Sequence, residues 1–311
     1  MTKQLFSASV PDGLGRLFTL RNDRDMAVTI GEQGAALVSW WAPDRYGRLA
    51  DVLLPSAHDS CGEQRDAGTA AMARRRGGLR RLDPALWRGS MADQCVSLRL
   101  HSPAGADGGA ATVEVSYLLD DRGRLTIDWQ AVAEEGGTID LGAPPFFNLN
   151  GGRGDVGDHM LQIDANYYLK IDHGGIPLGM EAVGGTAFDF RHPAPIGARL
   201  EWPDVQLGLA RGFDHCYWIG RGASHRQGTL RQVAQVVDPV SGRRLTVATT
   251  DAGLRFFSGR QPGGECGGRA GFSLAGCAHP EQLGSGQAAG LILAPQRVHR
   301  RTTIYALSLQ A

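Results

Sequence analysis

ATVEVSYLLDDRGRLTIDWQAV, residues 111–132, is the stretch on which the fold turns. Apolar residues recur at Val113, Val115, Tyr117 and Leu119, and again at Leu125, Ile127 and Trp129, with polar residues between them. That period of two is the mark of a half-buried strand. Between the runs, LDDRGR (119–124) supplies the Asp and Gly that a tight reversal needs. Two such runs joined by such a turn predict an antiparallel pair.

The same pattern recurs in both directions. LFTLRND (17–23), MAVTIGE (26–32), ALVSWWAP (36–43), CVSLRLHS (95–102), HMLQIDANYYL (159–169), QVAQVVDP (232–239), RRLTVATTD (243–251), GLRFFSG (253–259) and TTIYALSL (302–309) all read as strands. PDRYGR (43–48) and DPVSGR (238–243) read as turns, helical periodicity is scarce, and Gly (44) and Pro (15) are abundant. Strands this regular without intervening helices predict an all-β protein, a sandwich or barrel of antiparallel sheets. With no linker or internal repeat in its 311 residues, the chain is expected to form a single domain over 1–311. Two stretches break the pattern: residues 56–90, polar and rich in Ala, Arg and Gly, and residues 259–290, which hold GRQPGGECGGRAG. Long irregular segments on a β scaffold are where ligands commonly bind.

Composition narrows the function classes. Lys+Arg 32 against Asp+Glu 32 gives a net charge of zero, so no global field draws the chain to nucleic acid or an anionic membrane. The run Arg74, Arg75, Arg76, Arg80 and Arg81 has no interleaved aromatics and reads as a solvated loop. Cys61, Cys95, Cys216, Cys266 and Cys277 are scattered, without CxxC or Cys/His spacing, so reduced structural thiols, no metal and no cofactor are expected. No apolar run has the length of a signal segment or a membrane span, and a cytoplasmic protein is the simplest expectation.

From about Phe18 onward the order of motifs resembles the aldose 1-epimerase (galactose mutarotase) family. The resemblance is carried by PDRYG before Asp51-Val52, then FFNLNGG (146–152), DHMLQIDANYYLKIDHGGIPLG (158–179), GGTAFDFRHPAPIG (184–197), GFDHCYWI (212–219), SGRRLTVATTDAGLRFFSG (241–259) and AGFSLAGCAHPE (270–281). It implies a large antiparallel β-sandwich with a sugar pocket on one face, and interconversion of the anomers of a free aldose. Opening a pyranose needs a base for the anomeric hydroxyl proton and an acid for the ring oxygen, with the roles reversed on closure. The family uses a Glu and a His for these, and an Asp, a Gln, an Arg and a second His for the hydroxyls.

Placed on this sequence, the resemblance gives an unusual set. The family stretch N-H-S-Y-F-N-L falls on Ala143 to Leu149, which puts Pro144 at the position of the acid; G-F-x-L-E-T-Q falls on Gly271 to Cys277, which puts Ala275 at the position of the base. Neither side chain can carry a proton. The hydroxyl-binding Asp is kept as Asp214, followed by His215; Arg255 stands where the family has Gln; an HGG is matched only by Arg76-Gly77-Gly78. The family's upstream Asn-Arg has no counterpart, and residues 56–75 look shortened.

Candidate ligand-binding residues are therefore Asp214, Arg255, Arg76, His215 and Asn148, with His215 also fitting a structural role behind Asp214. His279 and Glu281 are the only titratable groups shortly after Ala275. The expectation is a protein that binds a monosaccharide or sugar derivative without the family's mutarotation, as monomer or homodimer. Two alternatives stand beside it. One is an active aldose 1-epimerase using non-standard groups such as Asp214 with His279; the other is a different reaction, lysis or hydrolysis, on the same scaffold.

Overall fold

The computed structural model describes residues 15–54, 79–81, 83, 86–104, 109–135, 137–140, 144–220, 228–259, 269–277 and 291–310. The hairpin predicted from residues 111–132 forms in register: Leu119 pairs with Leu125, Tyr117 with Ile127 and Val115 with Trp129. Its apolar positions face inward, with Val113, Val115 and Leu125 fully buried.

That hairpin is the middle of a nine-stranded antiparallel sheet. In chain order its members are β7 (Arg88–Ala92), β8 (Cys95–Ser102), β9 (Ala111–Leu119), β10 (Arg124–Ala133), β13 (Met160–Ile163), β16 (Ala194–Pro195), β18 (Arg231–Val237), β19 (Arg243–Thr249) and β23 (His299–Leu309). They lie side by side as β16-β13-β18-β19-β23-β10-β9-β8-β7. A four-stranded sheet contains β1 (Leu17–Arg21), β2 (Ala27–Gly31), β3 (Ala36–Pro43) and β4 (Leu49–Asp51) in sequential order. A five-stranded sheet is ordered β15 (Pro177–Ala182), β14 (Tyr167–Ile171), β17 (Asp214–Trp218), β20 (Gly253–Phe257), β21 (Ser273–Cys277). Two small sheets join β12 (Phe146–Phe147) to β5 (Leu53–Leu54), and β22 (Leu291–Leu293) to β11 (Gly137–Asp140) and β6 (Leu79–Arg81). The β11–β6 pair is parallel, a departure from the all-antiparallel expectation. Two short helices, α1 (Ile196–Leu200) and α2 (Val205–Ala210), complete the described elements.

The turns share one device. Asp44, Asp120, Asp172 and Asp238 each accept a bond at one carboxylate oxygen from the amide two residues on; the first three also accept from the amide four on at the same oxygen. Gly47, Gly123, Gly175 and Gly242 follow with φ of 77°, 77°, 74° and 72°, values a Cβ would disfavour.

HMLQIDANYYL, read as one strand, is two. Its first half, β13, pairs with β18 in the nine-stranded sheet; its second half, β14, pairs with β17 in the five-stranded sheet. At the corner the Asp164 amide bonds to the Val233 carbonyl at 2.9 Å. A strand that changes sheets in this way ties two layers together. The layers meet in an aromatic core: Phe256 lies 5.0 Å from Phe213 and 5.8 Å from Phe190 between ring centroids, and Phe147 lies 5.5 Å from Tyr305. The two irregular stretches also hold regular structure, since β6 lies within 56–90 and β21 within 259–290.

Candidate functional site

Alternation along β17, β20 and β21 separates the two faces of the five-stranded sheet. His215, Tyr217, Leu254, Phe256 and Leu274 are buried on one face. Asp214, Trp218, Arg255, Phe257 and Ala275 are partly exposed on the other. Register sets the rows of that accessible face: Asp214–Phe257–Ser273, Cys216–Arg255–Ala275 and Trp218–Gly253–Cys277. Directly opposed residues of an antiparallel pair point to the same side, so these nine side-chain positions form one surface.

Asp214 and Arg255 meet on it. Both Nε and Nη2 of Arg255 reach Asp214 Oδ1 at 2.6 Å, with the side chains 34% and 20% exposed. An ion pair this accessible is worth about 1 kcal/mol or less, so it is a replaceable contact, open to displacement by a ligand's hydroxyls.

The segments that carry Pro144 and Ala275, far apart in sequence, are joined at a single bridge. Phe147 and Phe272 exchange both backbone bonds, Phe147 N–H to Phe272 O at 2.7 Å and Phe272 N–H to Phe147 O at 2.9 Å. Carried three residues back from Phe147 and three forward from Phe272, this antiparallel register would put Pro144 across from Ala275. The pairing stops after one bridge because the next bonded pair, Pro145 with Leu274, would need an N–H that proline lacks.

The remaining sequence candidates are placed differently. Asn148 is fully buried, and its amide is spent on its own loop: Nδ2 donates to Gly154 O at 3.2 Å and Ala270 O at 2.8 Å, while Oδ1 accepts from the Asn150 amide at 2.9 Å. It holds FFNLNGG against the approach to β21 from behind the accessible face. His215 sits on the core face, where Nδ1 accepts the Asp214 amide at 3.2 Å and Nε2 is buried without a hydrogen-bond partner among the described residues. Burial is the largest influence on it, with Arg255 acting in the same sense against Asp214, and pushes its pKa down to about 4, so the ring is neutral at pH 7. Arg76, His279 and Glu281 lie outside the described residues.

One feature escaped the sequence reading. Cys216 and Cys277, expected as reduced thiols, are joined by a disulfide, with Cα atoms 7.1 Å apart. Each follows a candidate site position by two residues, Cys216 after Asp214 and Cys277 after Ala275, so strand parity puts both sulfurs on the accessible face. Gly253 lies between them on β20 and adds no side chain to the row, leaving room for the bridge. Leu169 covers the pair in a small cluster separate from the main core. Among the described residues there is no cluster of His, Cys, Asp and Glu fit to hold a metal ion, and no helix long and apolar enough to cross a membrane.

Comparison with known proteins places the family and the fold. The sequence pattern of the aldose 1-epimerase family matches residues 72–306. An aldose 1-epimerase of Escherichia coli (strain K12) is 31% identical, covering 83% of this chain and 82% of its own length. The galactose mutarotase of Homo sapiens is 28% identical over 99% of both chains. Among solved structures, an aldose epimerase homologue from C. elegans superimposes with a TM-score of 0.74 at 17% identity, covering 95% of this chain and 99% of its own. A galactose 1-epimerase from Lactobacillus acidophilus gives 0.70 at 24% identity, covering 94% of each chain. Sandwich, accessible sheet face and family pattern coincide over the same span, and the chain belongs to the aldose 1-epimerase family.

Proposed function

We propose that this chain binds a monosaccharide or sugar derivative on the accessible face of its five-stranded sheet and does not run the family's two-residue proton relay. The observation that supports this reading is the Phe147–Phe272 bridge, whose register, carried three residues further, would put Pro144 across from Ala275. The resemblance assigns the family's acid and base to these positions, and in this chain they hold a cyclic imino acid and a methyl group. A pyranose lying between them meets neither a donor for its ring oxygen nor an acceptor for its anomeric proton. The Asp214 carboxylate beside it still accepts hydroxyl hydrogen bonds, once Arg255 shares or yields its hold. Asn148 and His215 act from behind, fixing the loop and the strand that present these positions.

Two measurements test this. Polarimetry on freshly dissolved glucose and galactose should show anomeric exchange no faster with protein than in buffer; clear acceleration defeats the inactive reading. Titration calorimetry across a panel of monosaccharides should find a ligand whose affinity falls about ten- to hundredfold on Asp214→Ala, the range for loss of a charged hydrogen bond. An unchanged affinity removes Asp214 from the site.

A further inference from the structure

The Cys216–Cys277 disulfide lies where no packing requirement of the main core puts it. The large core cluster occupies the other face of the sheet, and on this face, among the described residues, Leu169 alone clusters with the two cysteines. The bridge ties β17 to β21 across β20, the three strands that carry Asp214, Arg255 and Ala275. Cys216 is also the direct cross-strand neighbour of Arg255, the residue that occupies Asp214.

We propose that Cys216 and Cys277 form a thiol–disulfide exchange site in the floor of the ligand-binding face, reduced by a dithiol, and that reduction releases Asp214 for ligand. The exchange balances simply. A thiolate of the dithiol attacks Sγ of Cys216, and Cys277 leaves as thiolate. The second thiol of the reductant then resolves the mixed disulfide. Two electrons pass from dithiol to protein, the dithiol becomes a cyclic disulfide, and the chain holds two thiols. A sulfur anion at Cys216 is favoured by the guanidinium across from it and accepts a charge-assisted bond from that group. Arg255 is then shared between two anions, and an oxygen of Asp214 opens to sugar hydroxyls. While the bridge is closed, Cys216 carries no charge and Arg255 stays on Asp214. The change in affinity rests on the carbohydrate-binding reading above; the exchange itself does not.

The test uses the full chain in two forms, oxidised as isolated and reduced with dithiothreitol under native conditions. Peptide-level alkylation should show Cys216 and Cys277 blocked in the first form and labelled in the second. Resistance to dithiothreitol in the folded protein, or full labelling before it is added, overturns the exchange site. Calorimetry with galactose and glucose should give an affinity a few-fold higher in the reduced form, up to about fivefold, the ceiling set by an ion pair worth about 1 kcal/mol. Two variants separate charge from mere release of the strands. Cys277→Ser keeps a thiol across from Arg255 and should bind as the reduced form does in either condition. Cys216→Ser has none and should bind as the oxidised form does. Equal affinity in both redox forms, or two variants that shift together, overturns the release of Asp214. If neither form binds either sugar, the carbohydrate reading fails with it, while the alkylation result still decides the exchange site.

Discussion

Two histidines are held neutral inside the protein, in both cases chiefly by burial. His159 is 1% exposed, and its Nε2 accepts the Leu149 amide at 3.2 Å, a bond that requires Nε2 to be unprotonated. Burial pushes its pKa down to about 4, against the pull of Asp238, Asp155 and Asp158. His215 reaches about 4 among the rings of Tyr168 and Phe188. Both values lie below the ordinary 6.5, so the unfolded chain takes up protons first as pH falls. Stability is therefore complete above about pH 6.5 and declines towards pH 4, by at most on the order of 3 kcal/mol for each ring. Asp51 and Asp251, whose carboxyls burial holds above the usual range, act in the opposite sense and soften the slope. Urea unfolding should give a lower midpoint at pH 5 than at pH 7, and His159→Gln, which keeps an acceptor for Leu149, should flatten the difference. A midpoint that does not move with pH would show that neither ring is kept neutral. The residue scale is also where the sequence is least informative. Asn148 and His215 belong to the same motifs as Asp214, yet one is turned into a loop and the other into the core. Motif membership says which residues travel together, and only strand parity says which face they take.

At the scale of elements, β21 shows what happens where a ladder is cut short. Pro145 cannot supply the bond that would continue the pairing beyond Phe147–Phe272, and on that side the carbonyls of Leu274 and Gly276 meet no strand among the described residues. β23 serves them from below with side chains. The Tyr305 hydroxyl donates to Leu274 O at 2.8 Å, and an Arg301 Nη2 hydrogen donates to Gly276 O while its Nε holds Asp251 at 2.6 Å. Tyr305 is 3% exposed and burial raises its pKa, so it remains a donor throughout the working pH range. Tyr305→Phe should leave the buried Leu274 carbonyl unpaired and destabilise the fold by about 1–3 kcal/mol, read as a lower urea midpoint with an unchanged slope. Full stability in that variant would mean that water replaces the hydroxyl. Elements were legible in the sequence in proportion to their one-sidedness. β8, β9, β10 and β19 alternate because one face is core, and the Asp and Gly of the β9–β10 and β18–β19 turns carry the chemistry of reversal in plain view. β7 and β15 are edge strands largely exposed on both faces, so no alternation exists to be read. β21, SLAGC, is built of small residues and is a strand because β20 pairs with it.

At the scale of the whole molecule, the candidate site exists only because distant segments are folded onto one sheet. Pro144 precedes β12, Asp214 opens β17, Arg255 lies at the centre of β20 and Ala275 at the centre of β21. The family's order of motifs made this set nameable from sequence, whereas the disulfide and the Arg255–Asp214 pair needed the register of three strands. If the two proton-transfer groups are what the pocket lacks, Pro144→His with Ala275→Glu should raise anomeric exchange of galactose above buffer, and each single change should do little. General acid and base groups contribute about 10²–10⁴-fold each, so even a poorly aligned pair is measurable by exchange NMR. The structure adds a refinement. Ala275 lies directly across from Arg255, so a carboxylate introduced there is drawn into an ion pair and loses basicity. Adding Arg255→Gln removes that competitor and also frees Asp214 from its present bond, so the triple variant should be faster than the double one. A folded triple variant that binds galactose yet exchanges it no faster than buffer would show that the path of the chain through Pro144 and Pro145, and not two missing side chains, is what separates this pocket from catalysis.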